Sequence, residues 1–139
     1  MPRRQPGFSL MELLVTLVIA AILAAVAIPL YGNYVKDRER RDARRYIETV
    51  ATAEQVYYLS HPTRTYVTDR LVPHPEAPGS GQRLECDLTN ALSRWEISVP
   101  NADADGFTVI ATGKPRGPAA GLTVTYTHSR SGSSRWEES

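Results

Sequence analysis

Cys86 is the one cysteine in this chain of 139 residues. A single thiol excludes an internal disulfide framework and any multi-cysteine zinc site. Neither sign of charge dominates, since 16 Lys and Arg against 15 Asp and Glu leave a net charge of +1. That balance gives no support to a generally basic nucleic-acid binder. The histidines, His61, His74 and His128, are scattered, with no HExxH or Cys/His spacing for zinc. A phosphate-binding GxxxxGKS/T and a GxSxG elbow are both missing. Isolated serines and aspartates do not make a triad, so no enzymatic activity is expected.

Apolar character is scarce except in one place. Average hydropathy is that of a soluble protein, yet the apolar residues concentrate between Phe8 and Val35. From Leu13 to Ile28 the only polar side chain is Thr16, and across Phe8–Val35 the only charge is Glu12. As a helix this stretch would be about 42 Å long at about 1.5 Å per residue, enough to cross a hydrocarbon core of about 30 Å. Ala and Leu, both strong helix formers, dominate it. A membrane-spanning or membrane-inserting helix is expected. A buried core helix fits poorly, because so small a protein could scarcely cover all its sides. A cleaved secretory signal fits poorly too: Arg3 and Arg4 suit its basic start, but the apolar run exceeds the usual length, about 7–15 residues, and the small residues lie inside it.

Two residues break the run. A lipid-exposed carboxylate at Glu12 costs on the order of 2.5–3.5 kcal/mol, so it calls for a positive partner or an interfacial position near a helix N-terminus, where the helix dipole favours it. Pro29 has no N–H for the carbonyl of Ala25, and Gly32 follows closely. A kink or locally melted turn is expected there.

The tract Gly7-Phe8-Ser9-Leu10-Met11-Glu12-Leu13-Leu14-Val15 resembles the prepilin cleavage and methylation motif of the type IV pilin superfamily. Pro29, Tyr31 and Tyr34 also fall where pilins commonly carry proline and tyrosines. The close resemblance covers roughly the first 35 residues. It implies that a membrane prepilin peptidase cuts after Gly7 and methylates the new amino terminus at Phe8. It implies further that Glu12 pairs with the terminal amine of a neighbouring subunit during filament assembly. The physical logic stands independently. Cutting there removes Arg3 and Arg4 and creates an ammonium four residues before Glu12, and methylation leaves it protonatable. Such a pairing in a low-dielectric bundle would offset the cost of the carboxylate and set the axial register.

Charge counting points the other way on topology. Lys36, Arg38, Arg40, Arg41, Arg44 and Arg45 follow the run, against Arg3 and Arg4 before it. A positive-inside count would put the N-terminus outside. The resemblance implies an N-terminus in the cytoplasm, where the peptidase acts, in a single-pass protein of the bacterial inner membrane that later joins a cell-surface or periplasmic filament. Interleaved acids are expected to pair locally, Asp37 with Arg40 or Arg41. The basic stretch could also contact membrane lipid headgroups or DNA phosphates, with Arg130 and Arg135 as a weak second patch.

Helical periodicity continues through Ala43, Ile47, Val50, Ala53 and Tyr57, with Tyr46 beside the stripe and Arg44, Arg45, Glu48 and Glu54 elsewhere on the wheel. One helix is expected to reach about Leu59 and stop near His61-Pro62. Pro73, Pro75, Pro78, Gly79 and Gly81 argue for irregular chain from His61 to about Ala91. Alternation then predicts strands around Trp95–Val99, Phe107–Thr112 and Leu122–Thr127, a turn over Ser129–Ser134, and a short fourth strand at Arg135–Glu137. The fold class is α+β: a long N-terminal helix, membrane-spanning in its first half and amphipathic in its second, packed on a C-terminal antiparallel sheet. That is also the fold the pilin resemblance implies. The segments are 1–7 as leader, 8–35 as membrane and assembly helix, 36–60 as amphipathic continuation, and 61–139 as β-rich head.

Asn101-Ala102-Asp103-Ala104-Asp105-Gly106 opens like a calcium loop, but Thr112 stands where the closing glutamate belongs. A turn between strands is expected. No cofactor is expected, with Asp103 and Asp105 the weak candidates for calcium. Cys86 is expected to be a structural thiol or loop residue. Together these features predict a type IV pilus-like filament subunit. Its partners would be other pilin subunits, the prepilin peptidase and an inner-membrane assembly platform. The alternatives are a type II secretion pseudopilin, a DNA-uptake pilin, or a membrane-tethered binding protein that never polymerises.

Overall fold

A computed structural model of the chain describes residues 7–71 and 83–139. Arg3 and Arg4 lie outside the described residues, as do Pro73, His74, Pro75, Pro78, Gly79 and Gly81. The chain divides into two units, Met1–Val35 and Lys36–Ser139. A single helix, α1 (Leu10–Ser60, 51 residues), contributes to both.

In the first unit α1 has no covering layer. Leu14, Leu17, Ile22, Leu23 and Ile28 are all exposed. Among the described residues, α1 is the one helix long and apolar enough to cross a membrane. At Pro29 and Gly32, where a kink or locally melted turn is expected, α1 remains helical through both positions. Proline removes one N–H from the helical ladder, and the helix formers before it retain theirs.

In the second unit, α1 carries the apolar stripe Ala43, Ile47, Val50 and Ala51, all buried. It stops at Ser60, whose hydroxyl donates to the Val56 carbonyl at 2.8 Å, while the His61 ring stacks on Tyr57. Pro62 follows and disfavours a further helical turn before it. Five strands form one antiparallel sheet in chain order: β1 (Asp69–Arg70), β2 (Trp95–Ala102), β3 (Gly106–Gly113), β4 (Thr123–Ser129) and β5 (Ser134–Glu138). The predicted strands are present. The segment expected to be irregular also holds β1 and a four-residue helix, α2 (Thr89–Leu92). Two residues cannot display an alternation, so β1 is defined only by its pairing with Val99 and Ser98. α2 is marked by Asp87, whose carboxylate accepts the Thr89 N–H.

Register along β2 and β3 shifts between Ser98 and Asn101. Pro100 stands in that interval, and a bulge tolerates a residue without an N–H. The inward faces, Trp95, Ile97 and Val99 from β2 and Phe107, Val109 and Ala111 from β3, form one core with α1, Leu84, Leu92 and Val124. Gly113 ends β3 against the Ala119 carbonyl, where a Cβ would overlap that oxygen.

Buried acids correct the helical wheel. Glu54, expected away from the stripe, is fully buried, and Glu39 is nearly so. Glu54 accepts the Val67 N–H at 3.0 Å, which ties the chain after the helix back onto α1. Its second carboxylate oxygen is buried and has no hydrogen-bond partner among the described residues. Glu39 accepts from the Arg94 guanidinium at 2.6 Å, and Asp42 lies 3.8 Å from the same group. Asp37 pairs with Arg40 at 3.2 Å, as its spacing predicts.

Burial pushes the Glu54 carboxyl up from the ordinary 4.5 to about 7, with the Val67 hydrogen bond opposing and Asp69 reinforcing the rise. The folded chain therefore holds this proton more tightly than the unfolded chain. Its contribution to stability is complete below the unfolded value of 4.5 and is lost as pH rises through about 7. Glu54→Gln keeps an acceptor for Val67 and removes the titration. Denaturation from pH 4 to 8 should show wild-type stability falling relative to the variant by on the order of 2–3 kcal/mol. A constant difference would contradict the assignment. Arg94→Ala should cost about 2–3 kcal/mol by the same measurement, because it strands the Glu39 carboxylate; Arg94's partial exposure keeps this below the loss for a fully buried pair.

Candidate processing and assembly site

Gly7, Phe8 and Ser9 precede α1 and are exposed, Phe8 by 81%. Space around the Gly7 α-carbon is open. Ser9 is the N-cap of α1: its hydroxyl accepts the Met11 N–H at 3.3 Å and its carbonyl accepts the Leu13 N–H at 3.1 Å. The Gly7–Phe8 peptide bond therefore lies in non-helical backbone, where a protease reaches it without unwinding the helix. This cap is not among the features predicted from the sequence. The Ser9-x-x-Glu12 spacing, characteristic of a capping box before an apolar run, was the signal for it.

That cap makes Glu12 the third helical residue. It lies in the first turn, where the positive end of the helix dipole favours a carboxylate. Its side chain is exposed among the exposed Phe8, Met11 and Leu13, and it forms no ion pair with any described residue. Thr16 donates its hydroxyl to the Leu13 carbonyl at 2.8 Å, so the one polar side chain within the apolar run is satisfied inside the helix. Among the described residues the apolar surface of α1 before Val35 is thus left uncovered, with one exposed carboxylate in its first turn.

Other candidate residues serve local structure. Asp103 accepts the N–H groups of Asp105 and Gly106 at 2.8 and 2.9 Å, forming the turn between β2 and β3. The Asp105 carbonyl accepts the Arg130 N–H at 2.7 Å. Among the described residues no three His, Cys, Asp or Glu side chains gather closely enough to hold a metal ion. Burial first, then Asp69, Asp87 and Glu54, pushes the half-buried Cys86 thiol up to about 11. A thiol so shifted is neutral and a poor nucleophile at ordinary pH. Arg130 lies 5.9 Å from the Tyr58 ring, and Arg135 pairs with Glu137 at 3.0 Å, so these two arginines are engaged separately.

Comparison with known proteins converges on the same segment. A family model described as the prokaryotic N-terminal methylation motif matches residues 2–28. A type IV major pilin protein of Neisseria gonorrhoeae is 40% identical over 57 residues, covering 41% of this chain and 34% of the pilin. Type II secretion system core protein G of Aeromonas hydrophila is 33% identical over 81 residues, 54% of each chain. Prepilin peptidase-dependent protein D of Escherichia coli strain K12 is 38% identical over 58 residues, 42% of this chain and 40% of that protein. The match thus spans about a third to a half of the length of these relatives. No solved structure matches the chain. The chain thus carries the prokaryotic N-terminal methylation motif and is similar, over its N-terminal part, to type IV pilins and to a type II secretion core protein.

Proposed function

We propose that this protein is a structural subunit of a type IV pilus-like filament, working by assembly rather than catalysis. The observation that carries this reading is the exposed Glu12 carboxylate in the first turn of an otherwise uncovered apolar helix, four residues after the Gly7–Phe8 bond. Before assembly the apolar part of α1 rests in the bacterial inner membrane with its N-terminus in the cytoplasm. Prepilin peptidase hydrolyses the Gly7–Phe8 peptide and methylates the Phe8 amine. The ammonium so formed on one subunit pairs with Glu12 of the next as the helices bundle. That charge-assisted contact fixes the axial register while apolar side chains exchange lipid for protein. Pro29 and Gly32 give α1 a place to bend during the transfer, and the sheet forms the outer surface.

A second reading, a subunit of a short secretion-system filament, is favoured by the match to core protein G, which covers more of this chain than the pilin match does. Both readings use the same N-terminal chemistry.

Glu12→Ala should lower the yield of sheared surface filaments, or of overexpressed periplasmic ones, at least about tenfold, since each lost contact of this kind is worth more than about 1.4 kcal/mol. Unchanged yield would contradict the assembly role. Mass spectrometry of the mature chain should find a methylated Phe8 amino terminus, and a functional protein still carrying Arg3 and Arg4 would overturn the processing step.

A further inference from the structure

Acids and bases alternate between Lys36 and Arg45, so the sequence suggests local neutralisation. Folding parts the two signs. Glu39 and Asp42 turn toward Arg94, and Asp37 pairs with Arg40. Arg44 is drawn to Glu138 at 2.6 Å and lies 5.2 Å from the Trp136 ring. Lys36, Arg38, Arg41 and Arg45 remain, exposed and without an ion pair among the described residues, and of these Arg38, Arg41 and Arg45 share one face. Their spacings of 3 and 4 place them on one side of α1, opposite the buried Ala43, Ile47 and Val50. Glu48, the neighbouring exposed acid, lies farther from the apolar run than all three.

We propose that this three-arginine face docks on the phosphate headgroups of anionic phospholipid where α1 leaves the bilayer. The inference rests on the membrane reading of α1 given above. Arg38, Arg41 and Arg45 follow Val35 by 3, 6 and 10 residues along one helix. At about 1.5 Å per residue they stand about 5–15 Å beyond it. Headgroups occupy about 5–8 Å outside the hydrocarbon core. Helical side chains tilt toward the helix N-terminus, here toward the bilayer, and long arginine stems extend that reach. The planar guanidinium matches phosphate with paired hydrogen bonds. Arg94 thus has a second effect: by holding Glu39 and Asp42 it leaves the outward bases uncompensated. The face would retain the subunit at the membrane until filament formation draws it out.

The test uses the full chain reconstituted in phosphatidylcholine bilayers with trace spin-labelled phosphatidylglycerol or spin-labelled phosphatidylcholine. Electron paramagnetic resonance then reads the motionally restricted lipid at the protein surface. The expected result is a preference for phosphatidylglycerol of about threefold or more, falling to parity when Arg38→Gln, Arg41→Gln and Arg45→Gln are combined. The corresponding three Arg→Lys changes should keep most of it, and Arg3 and Arg4 are retained throughout. Parity in the wild type, or a preference that survives the glutamine variant, overturns the proposal. Restricted phosphatidylcholine without any phosphatidylglycerol preference overturns this inference alone, whereas no restricted lipid of either kind overturns the membrane reading as well. Binding of a short DNA duplex through the same arginines, with lipid parity, would assign the face to nucleic acid and also overturn it.

Discussion

An apolar helix that its own chain does not cover is the constraint on which everything else depends. Leu14, Leu17, Ile22 and Leu23 have no core to enter. Removing such surface from water is worth about 25 cal/mol per Å², so it must lie in lipid or against other copies of itself. Glu12 makes that choice consequential. A carboxylate is costly in either setting unless a cation meets it, and the proposed cut after Gly7 would create one four residues away. In the proposed function, cleavage, methylation and polymerisation all bear on this one carboxylate.

The second unit solves a different problem with the same helix. Beyond Val35, α1 becomes one wall of an ordinary core, closed by Trp95, Ile97, Phe107 and Val109 from the sheet. Sharing one helix between the two settings divides its labour. The apolar half adapts to lipid or to neighbours, while the half bearing Ala43, Ile47 and Val50 is committed to the sheet. Glu54 and Arg94 reinforce that commitment. One ties the segment at Val67 back to the helix, and the other ties the start of β2 to Glu39.

Much of this was legible in the sequence because it is written in period and composition. The uninterrupted Ala and Leu run gave the membrane helix, and the alternations at Trp95, Phe107 and Val124 gave three strands. The Gly7-to-Val15 tract carried the resemblance that the methylation-motif match over residues 2–28 supports. What stayed hidden depends on partners distant in sequence. Glu54, four residues after Val50, and Glu39, four before Ala43, share the buried stripe by spacing, and their charge hides this until Val67 and Arg94 are folded against them. β1 is too short for a pattern and exists only through its pairing with β2. The basic stretch after Val35 and its local Asp37–Arg40 pair were legible, whereas the contacts of Glu39 and Asp42 with Arg94, distant in sequence, were not.

The central claim is that Glu12 meets the terminal amine of another copy. A cryo-electron microscopy reconstruction of the native filament measures it directly. The account predicts the Glu12 carboxylate at charge-assisted hydrogen-bond distance, about 2.7–2.9 Å, from the Phe8 nitrogen of a neighbouring subunit. A filament in which Glu12 points to open space or water, with that nitrogen beyond about 8 Å, outside the reach of any such pairing, would contradict it.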